Sequence, residues 1–312
     1  MVTFEKEQSS FNIAGVKIGG QPGKLPTVMC GSLFYDRHKI VKDARTGDFD
    51  KAATKSLLED ERQLSEEFGL QRMPDVIGST PEALKNYIDF MLEAIDGPML
   101  VDSASIDTII EALARYKGSE AMNRLVLSPI DANTTDEQLG RISDMGVKSA
   151  LVMDFTPEAI MPDQKVKAIT GSESGEVEPG SLLGRTRAAG VENILVDVGV
   201  IDLMGAAWSA MSVSRVKETL GLPAGCAPSN ALFSWQKNHT DVLSTPEQKS
   251  AAGAAVYSSI VYSGADFVLY GPMRCASWAY PACAMANALT SYGNRLSGVR
   301  TTDRSHPLYK LK

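Results

Sequence analysis

Residues 99–154 read MLVDSASIDTIIEALARYKGSEAMNRLVLSPIDANTTDEQLGRISDMGVKSALVMD. Three short apolar runs, 99–102, 125–128 and 150–154, each end on a small polar residue: Asp102, Ser128 and Asp154. Between them, 105–116 and 135–145 place apolar residues at helical spacing. A short buried strand followed by an amphipathic helix, repeated without a break, gives parallel strands joined by helical crossovers.

The same unit extends in both directions. Upstream, 27–34 (TVMCGSLF) is a strand, and 49–69 (FDKAATKSLLEDERQLSEEFG) has helical spacing that stops at Gly69. Residues 75–78 form the next strand. The following helix opens STPEALKNYIDFML, where Ser79 or Thr80 can cap, Pro81 suits the first turn and Glu82 completes a capping-box pattern. Downstream, strands 194–197, 223–227 and 266–270 alternate with helices near 181–189, 204–220 and 276–289 and with one that starts after Ser244-Thr245-Pro246-Glu247. Eight units is the number that closes a barrel. A doubly wound sheet would want GxGxxG after its first strand, and none is present. The expected fold is one (β/α)8 barrel over 25–293, with an N-terminal cap at 1–24 and a tail at 294–312. The cap is expected to be a hairpin over 11–18, turned at 19–23.

Composition narrows the function classes. The chain has 312 residues, with 31 Lys+Arg against 38 Asp+Glu and a net charge of −7. That balance argues against a nucleic-acid surface. The four cysteines are scattered and form neither a CxxC pair nor a zinc pattern, which suits free thiols in a reducing cytosol. No apolar run reaches membrane-spanning length, so a cytoplasmic protein without membrane insertion is expected.

Several familiar sites are missing. IGGQPGKL lacks the first Gly and the Ser/Thr of a P-loop and precedes the first strand. HExxH and GxSxG do not occur, and His38, His239 and His306 lie far apart. From the second unit onward no Lys falls at an expected strand end. What remains is a set of acceptors at strand ends: Asp75, Asp102, Ser128, Asp154, Asp197 and Asn230. Any one of these acids could simply cap the next helix. Together they describe a mouth that accepts hydrogen bonds, suited to an N–H-rich ligand such as the amino-pyrimidinone edge of a reduced pterin.

The segments FNIAGVKIGGQPGKLPTVMCGSLFY, DVIGSTPEALKNYIDF, MLVDSAS and GLPAGCAPSNALFSW resemble the H-subunit family of tetrahydromethanopterin S-methyltransferase. That family includes bacterial methylcorrinoid:tetrahydrofolate methyltransferases of the glycine betaine-demethylating type. The likeness spans nearly the whole chain, and KIGGQPGKLP is its most specific part. More distantly the chain is similar to other pterin-binding barrels, dihydropteroate synthase among them. The resemblance implies that Asp102 in MLVDS and Asp197 in ILVDVGV hold the pterin ring, with Asp75 a less secure match. It places Asn230 in APSN near the methyl-bearing N5. Where the family usually shows Asn at the fourth strand end, this chain has Ser128, whose reach is shorter.

The resemblance further implies methyl transfer from a methylated corrinoid to N5 of tetrahydrofolate, a displacement that needs positioning more than a general base. Corrinoid domains carry DxHxxG; Asp36-Arg37-His38 is followed by no Gly at the required place. The cobalamin-type cofactor is therefore expected on a separate corrinoid protein, with no bound metal in this chain and a homodimer as the assembly. The polar segment 163–180 is either a loop that contacts this partner or an ordinary surface loop. Three alternatives stay open: an H subunit acting on tetrahydromethanopterin in a membrane complex, a non-catalytic subunit that binds the corrinoid protein, and, least supported, dihydropteroate synthase.

Overall fold

The computed structural model describes residues 2–153, 156, 159–239 and 241–312. Asp154, one of the expected strand-end acids, lies outside them. Eight parallel strands close into a barrel: Val28–Leu33, Asp75–Ile77, Met99–Asp102, Leu125–Ile130, Ser149–Met153, Asn193–Asp197, Ala224–Cys226 and Phe267–Pro272, the last pairing back onto the first. The expected barrel is observed, and its strands fall close to where the apolar runs placed them.

Helices wrap the outside, and several are started by recognisable chemistry. Thr135 and Gln138 form a reciprocal capping box, and Thr245 and Gln248 form another. Thr80 does cap its helix by accepting from the Ala83 amide, but Glu82 stands one residue too early to complete a box. Two helices sit where none was expected. Pro162–Thr170 replaces the start of the polar segment read as a loop, and Pro228–Asn238 begins two residues after the seventh strand. Both open on Pro, whose fixed φ suits a first turn. A small pairing of Val41–Asp43 with Asp48–Phe49 also precedes the first helix, Lys51–Phe68.

The strand period of two sorts the barrel interior into layers. Cys30, Met73, Leu100, Val126, Leu151 and Leu195 make an apolar lower layer with Val28 and Phe267. Two residues further along their strands stand Ser32, Asp75, Asp102, Ser128, Met153 and Asp197. Ser32 pairs with Asp75, Asp102 with Ser128 and Met153 with Asp197, while Asp75 itself pairs with Leu100, two residues before Asp102. The three acids nonetheless form one upper group, since the charge of Asp197 acts on Asp75 and the charges of both act on Asp102.

The floor is sealed by a hairpin, Ser10–Ile13 with Val16–Gly19, whose Ile13 and Ile18 are buried against the lower layer. Its turn lies at Ala14–Gly15, both at positive φ, rather than at 19–23 as the glycines there suggested. Gly19 and Gly23 serve close packing instead. At Gly23 (φ 86°) a β-carbon would lie 2.7 Å from Ser291 Cα in the helix Ala276–Gly293. The KIGGQPGKLP block thus belongs to the floor. Beneath it, the Lys217 ammonium lies 2.5 Å from Asp266 and donates to the Gly20 carbonyl at 3.1 Å, while the Ala224 amide donates to the same carboxylate at 2.9 Å.

Candidate active site

The upper layer gathers four of the expected site residues, Asp75, Asp102, Ser128 and Asp197. Asp102 and Asp197 close their strands, where barrels of this kind carry their chemistry, whereas Asp75, expected at a strand end, opens its short strand. Each carboxylate has one local donor. Ser32 Oγ donates to Asp75 Oδ2 at 2.8 Å, Ser128 Oγ donates to Asp102 Oδ2 at 3.3 Å, and the Gly199 amide donates to Asp197 Oδ1 at 2.7 Å. Ser128 therefore turns sideways along the layer and steadies Asp102.

These donors do not satisfy the site. Asp75 Oδ1 is buried and has no hydrogen-bond partner among the described residues. Burial, partly offset by Ser32 and reinforced by the charge of Asp197, raises the Asp75 carboxyl to about 6. Burial also raises Asp197 to about 6, against the Gly199 amide and the positive charge of Lys165. Asp102 is pushed well above the ordinary range, first by burial and then by Asp75, with a smaller contribution from Asp197. Three acids in one low-dielectric layer, each raised in pKa, are arranged for hydrogen-bond donors rather than for one another.

Two features depart from the sequence reading. Asn230 lies in the first turn of Pro228–Asn238 and is exposed, so it stands on the rim rather than in the buried layer. Conversely, the expectation of a mouth without lysine missed Lys165. This residue is buried in Pro162–Thr170, and its charge acts on Asp197 and, more weakly, on Cys226. The signal was present in PDQKVKAIT: Lys165, Val166, Ile169 and Thr170 fall on one helical face, and that face is buried.

A closed barrel of this kind is shared with solved dihydropteroate synthases. The Xanthomonas albilineans enzyme in complex with 7,8-dihydropteroate superposes with a TM-score of 0.59 over 90% of this chain and 98% of that one, at 16% identity. The Yersinia pestis enzyme with a pterine–sulfa conjugate gives 0.60 over 91% and 100%, at 13% identity. At such identities the likeness is one of fold, and it defines the class as a TIM barrel of the dihydropteroate synthase architecture. The family described as Tetrahydromethanopterin S-methyltransferase MtrH subunit matches residues 6–302, and the chain belongs to that family. Among its relatives, the H subunit of tetrahydromethanopterin S-methyltransferase from Methanopyrus kandleri is 33% identical over 312 residues, covering 97% of each chain. Its counterpart from Methanocaldococcus jannaschii is 32% identical over 323 residues, covering 100% of both. Among the described residues no helix is long and apolar enough to cross a membrane.

Proposed function

We propose that this protein is a methyltransferase that moves a methyl group between N5 of a reduced pterin and the cobalt of a corrinoid carried by a partner protein. The observation that carries the reading is the acidic upper layer, with its orphaned Asp75 Oδ1, in a chain of this family. Adjacent N–H groups on the pterin's pyrimidinone edge are the donors such a layer lacks, and hydrogen bonds to ionised acceptors are the stronger kind. Asp102 and Asp197 would hold that edge, Asp75 would accept from it or from a bridging water, and Ser128 would keep Asp102 aligned.

The corrinoid supplies the cobalt that gives or receives the methyl group. The work left to this chain is positioning. Fixing the ring deep in the mouth leaves N5 facing outward, so that its lone pair and the methyl carbon can align in an approach held nearly free of rotation. Asn230, exposed on the rim, would hydrogen-bond near N5, where charge changes during transfer. The helix Pro162–Thr170 carries Lys165, whose charge reaches Asp197, and would form part of the partner's docking surface.

The names of the relatives favour tetrahydromethanopterin as the pterin over the tetrahydrofolate expected from the bacterial branch. The two share the ring, so the upper layer suits both. Mixing the protein with a methylated corrinoid protein and each reduced pterin, and following the corrinoid's absorbance, tests the reaction. Transfer with a preference for tetrahydromethanopterin is expected; no change with a competent partner and either pterin would overturn the proposal. Asn230→Ala is expected to slow transfer at least tenfold and leave pterin affinity within threefold. Unchanged transfer would instead favour a subunit that only binds the corrinoid protein.

A further inference from the structure

Above the acidic layer the rim changes sign. The eighth strand runs beside the first, with Pro272 opposite Ser32, so the residues that follow the two strand ends meet at the mouth. Arg274 Nη1 donates to the Tyr35 hydroxyl at 2.8 Å. The Tyr35 ring stacks on His38, with centroids 4.3 Å apart and planes 13° from parallel. His38 Nδ1 accepts from the Phe34 amide at 3.1 Å, which puts the ring proton on Nε2, where it is a donor. Burial and the neighbouring Arg274 lower His38 to about 4, so at neutral pH the imidazole is uncharged.

This loop is held in an uncommon conformation. Phe34 and Arg37 both have φ of 61°, a region that bulky side chains rarely occupy. The Phe34 ring is clamped against Tyr87 at 4.1 Å, and the His38 carbonyl accepts from the Val41 amide at 2.9 Å. The result is a cavity of about 650 Å³ whose wall includes Tyr35, Arg37, His38, Lys39 and Arg274. Three of those side chains are cations, and the carboxylate among the lining residues, Asp36, is exposed beside Arg37 at 3.4 Å. In a chain of net charge −7 such a concentration of positive charge is a local exception.

We propose that Arg274, with Lys39 and the Nε2–H of His38, forms an anion subsite that holds a carboxylate or phosphate in the tail of the reduced pterin. The inference rests on the pterin reading of the acidic layer and adds to it a second contact that governs which pterin is accepted. The geometry suits this division. Tyr35 follows Ser32 by three residues and Arg274 follows Pro272, the partner of Ser32, by two, so both stand just past the Ser32–Asp75 level. A ring anchored at that level can therefore send its tail outward to the rim. A planar guanidinium held by Tyr35 is preorganised for an oxyanion, and Lys39 contributes charge without fixed direction.

The test is calorimetry on the full chain with three probes: 6,7-dimethyltetrahydropterin, which has the ring and no anionic tail, tetrahydrofolate, and tetrahydromethanopterin. Arg274→Ala is expected to weaken at least one tailed pterin tenfold or more while leaving the ring-only pterin within twofold. The loss should shrink at high salt, and Arg274→Lys should recover part of it. Equal losses for tailed and ring-only probes, or no loss for any, would overturn the subsite while leaving the acidic layer in place. Failure of the ring-only pterin and both tailed pterins to bind the wild-type chain would overturn the pterin reading itself, and the subsite with it.

Discussion

The two ends of this barrel bury charge in opposite ways. At the floor, Lys217 and Asp266 face each other, and the Ala224 amide and Gly20 carbonyl take up further hydrogen-bonding capacity. At the mouth, Asp75, Asp102 and Asp197 lie close enough for the charges of Asp75 and Asp197 to raise Asp102, and Lys165 is a cation whose charge reaches Asp197. Among the described residues one oxygen there, Asp75 Oδ1, has no partner. Burial is comparable: Lys217 is 0% exposed, Asp266 7%, Asp75 2% and Asp197 4%. What differs is pairing. The floor is arranged so that removing a partner is costly, whereas the mouth is arranged so that its missing partner is a ligand.

The largest effect is expected at the floor. Lys217→Met strands Asp266 in an apolar setting and should cost about 3–5 kcal/mol of folding stability. Chemical denaturation at pH 7 measures this directly, and a loss below about 1 kcal/mol would contradict the paired-charge account.

The same kind of experiment at the mouth should give the opposite sign. Asp197→Asn removes a buried like charge, so the unliganded protein should gain about 1–3 kcal/mol, as judged from the raised carboxyl. Pterin affinity should fall about 10- to 100-fold, because a neutral amide replaces an ionised acceptor. A variant both less stable and unaltered in affinity would remove the distinction between the two ends.

Acid sharpens the comparison further. Asp75 and Asp197 titrate near 6 in the folded chain against 3.8 ordinarily, so between those values the native state holds more protons than the unfolded one. Stability of the unliganded protein should therefore rise as pH falls from 7.5 to 5.5, by about 2 kcal/mol. Pterin affinity should decline over the same interval as the acceptors protonate. Parallel denaturation and calorimetry series would show whether the two curves run in opposite directions.

The smallest effect is expected from Ser128→Ala. It removes the donor that steadies Asp102 and should raise that carboxyl still further, weakening pterin binding at pH 7 by about threefold. A loss above tenfold would mean that Ser128 itself contacts the ligand.

The barrel was legible because its strands are short apolar runs, several with a polar residue at or near the end, each followed by a segment of helical spacing. The upper layer was legible in part for the same reason: Asp102 and Ser128 recur at the βα period and pair directly, whereas Asp75, at the same spacing, pairs two residues lower with Leu100 and joins the group through its side chain. What escaped was set by helix orientation rather than strand period. Lys165 looks like a surface residue in a polar stretch until the helix that carries it docks and turns its 165-166-169-170 face inward. Asn230 follows its strand so closely that reading it at the strand end was natural, yet Pro228 starts a helix at once and lifts it to the rim. The glycines at 19–23 suggested a hairpin turn, but Gly19 answers to the close approach of Ser9 and Pro223, and Gly23 to that of Ser291, far away in sequence.

The floor contact between Gly20 and Lys217 joins positions 197 apart in the chain. The first strand likewise finds one neighbour in the eighth, between Val28 and Phe267. A nascent chain thus emerges with its hairpin and first strand complete and no floor to dock against. Both edges of the growing sheet stay open, and Ile13 and Ile18 stay in water, until translation has passed the eighth strand. Pairings this far apart in the chain cost loop-closure entropy before they contribute, and unpaired strand edges are exposed until they form, which is the general condition for aggregation during synthesis rather than in the finished molecule.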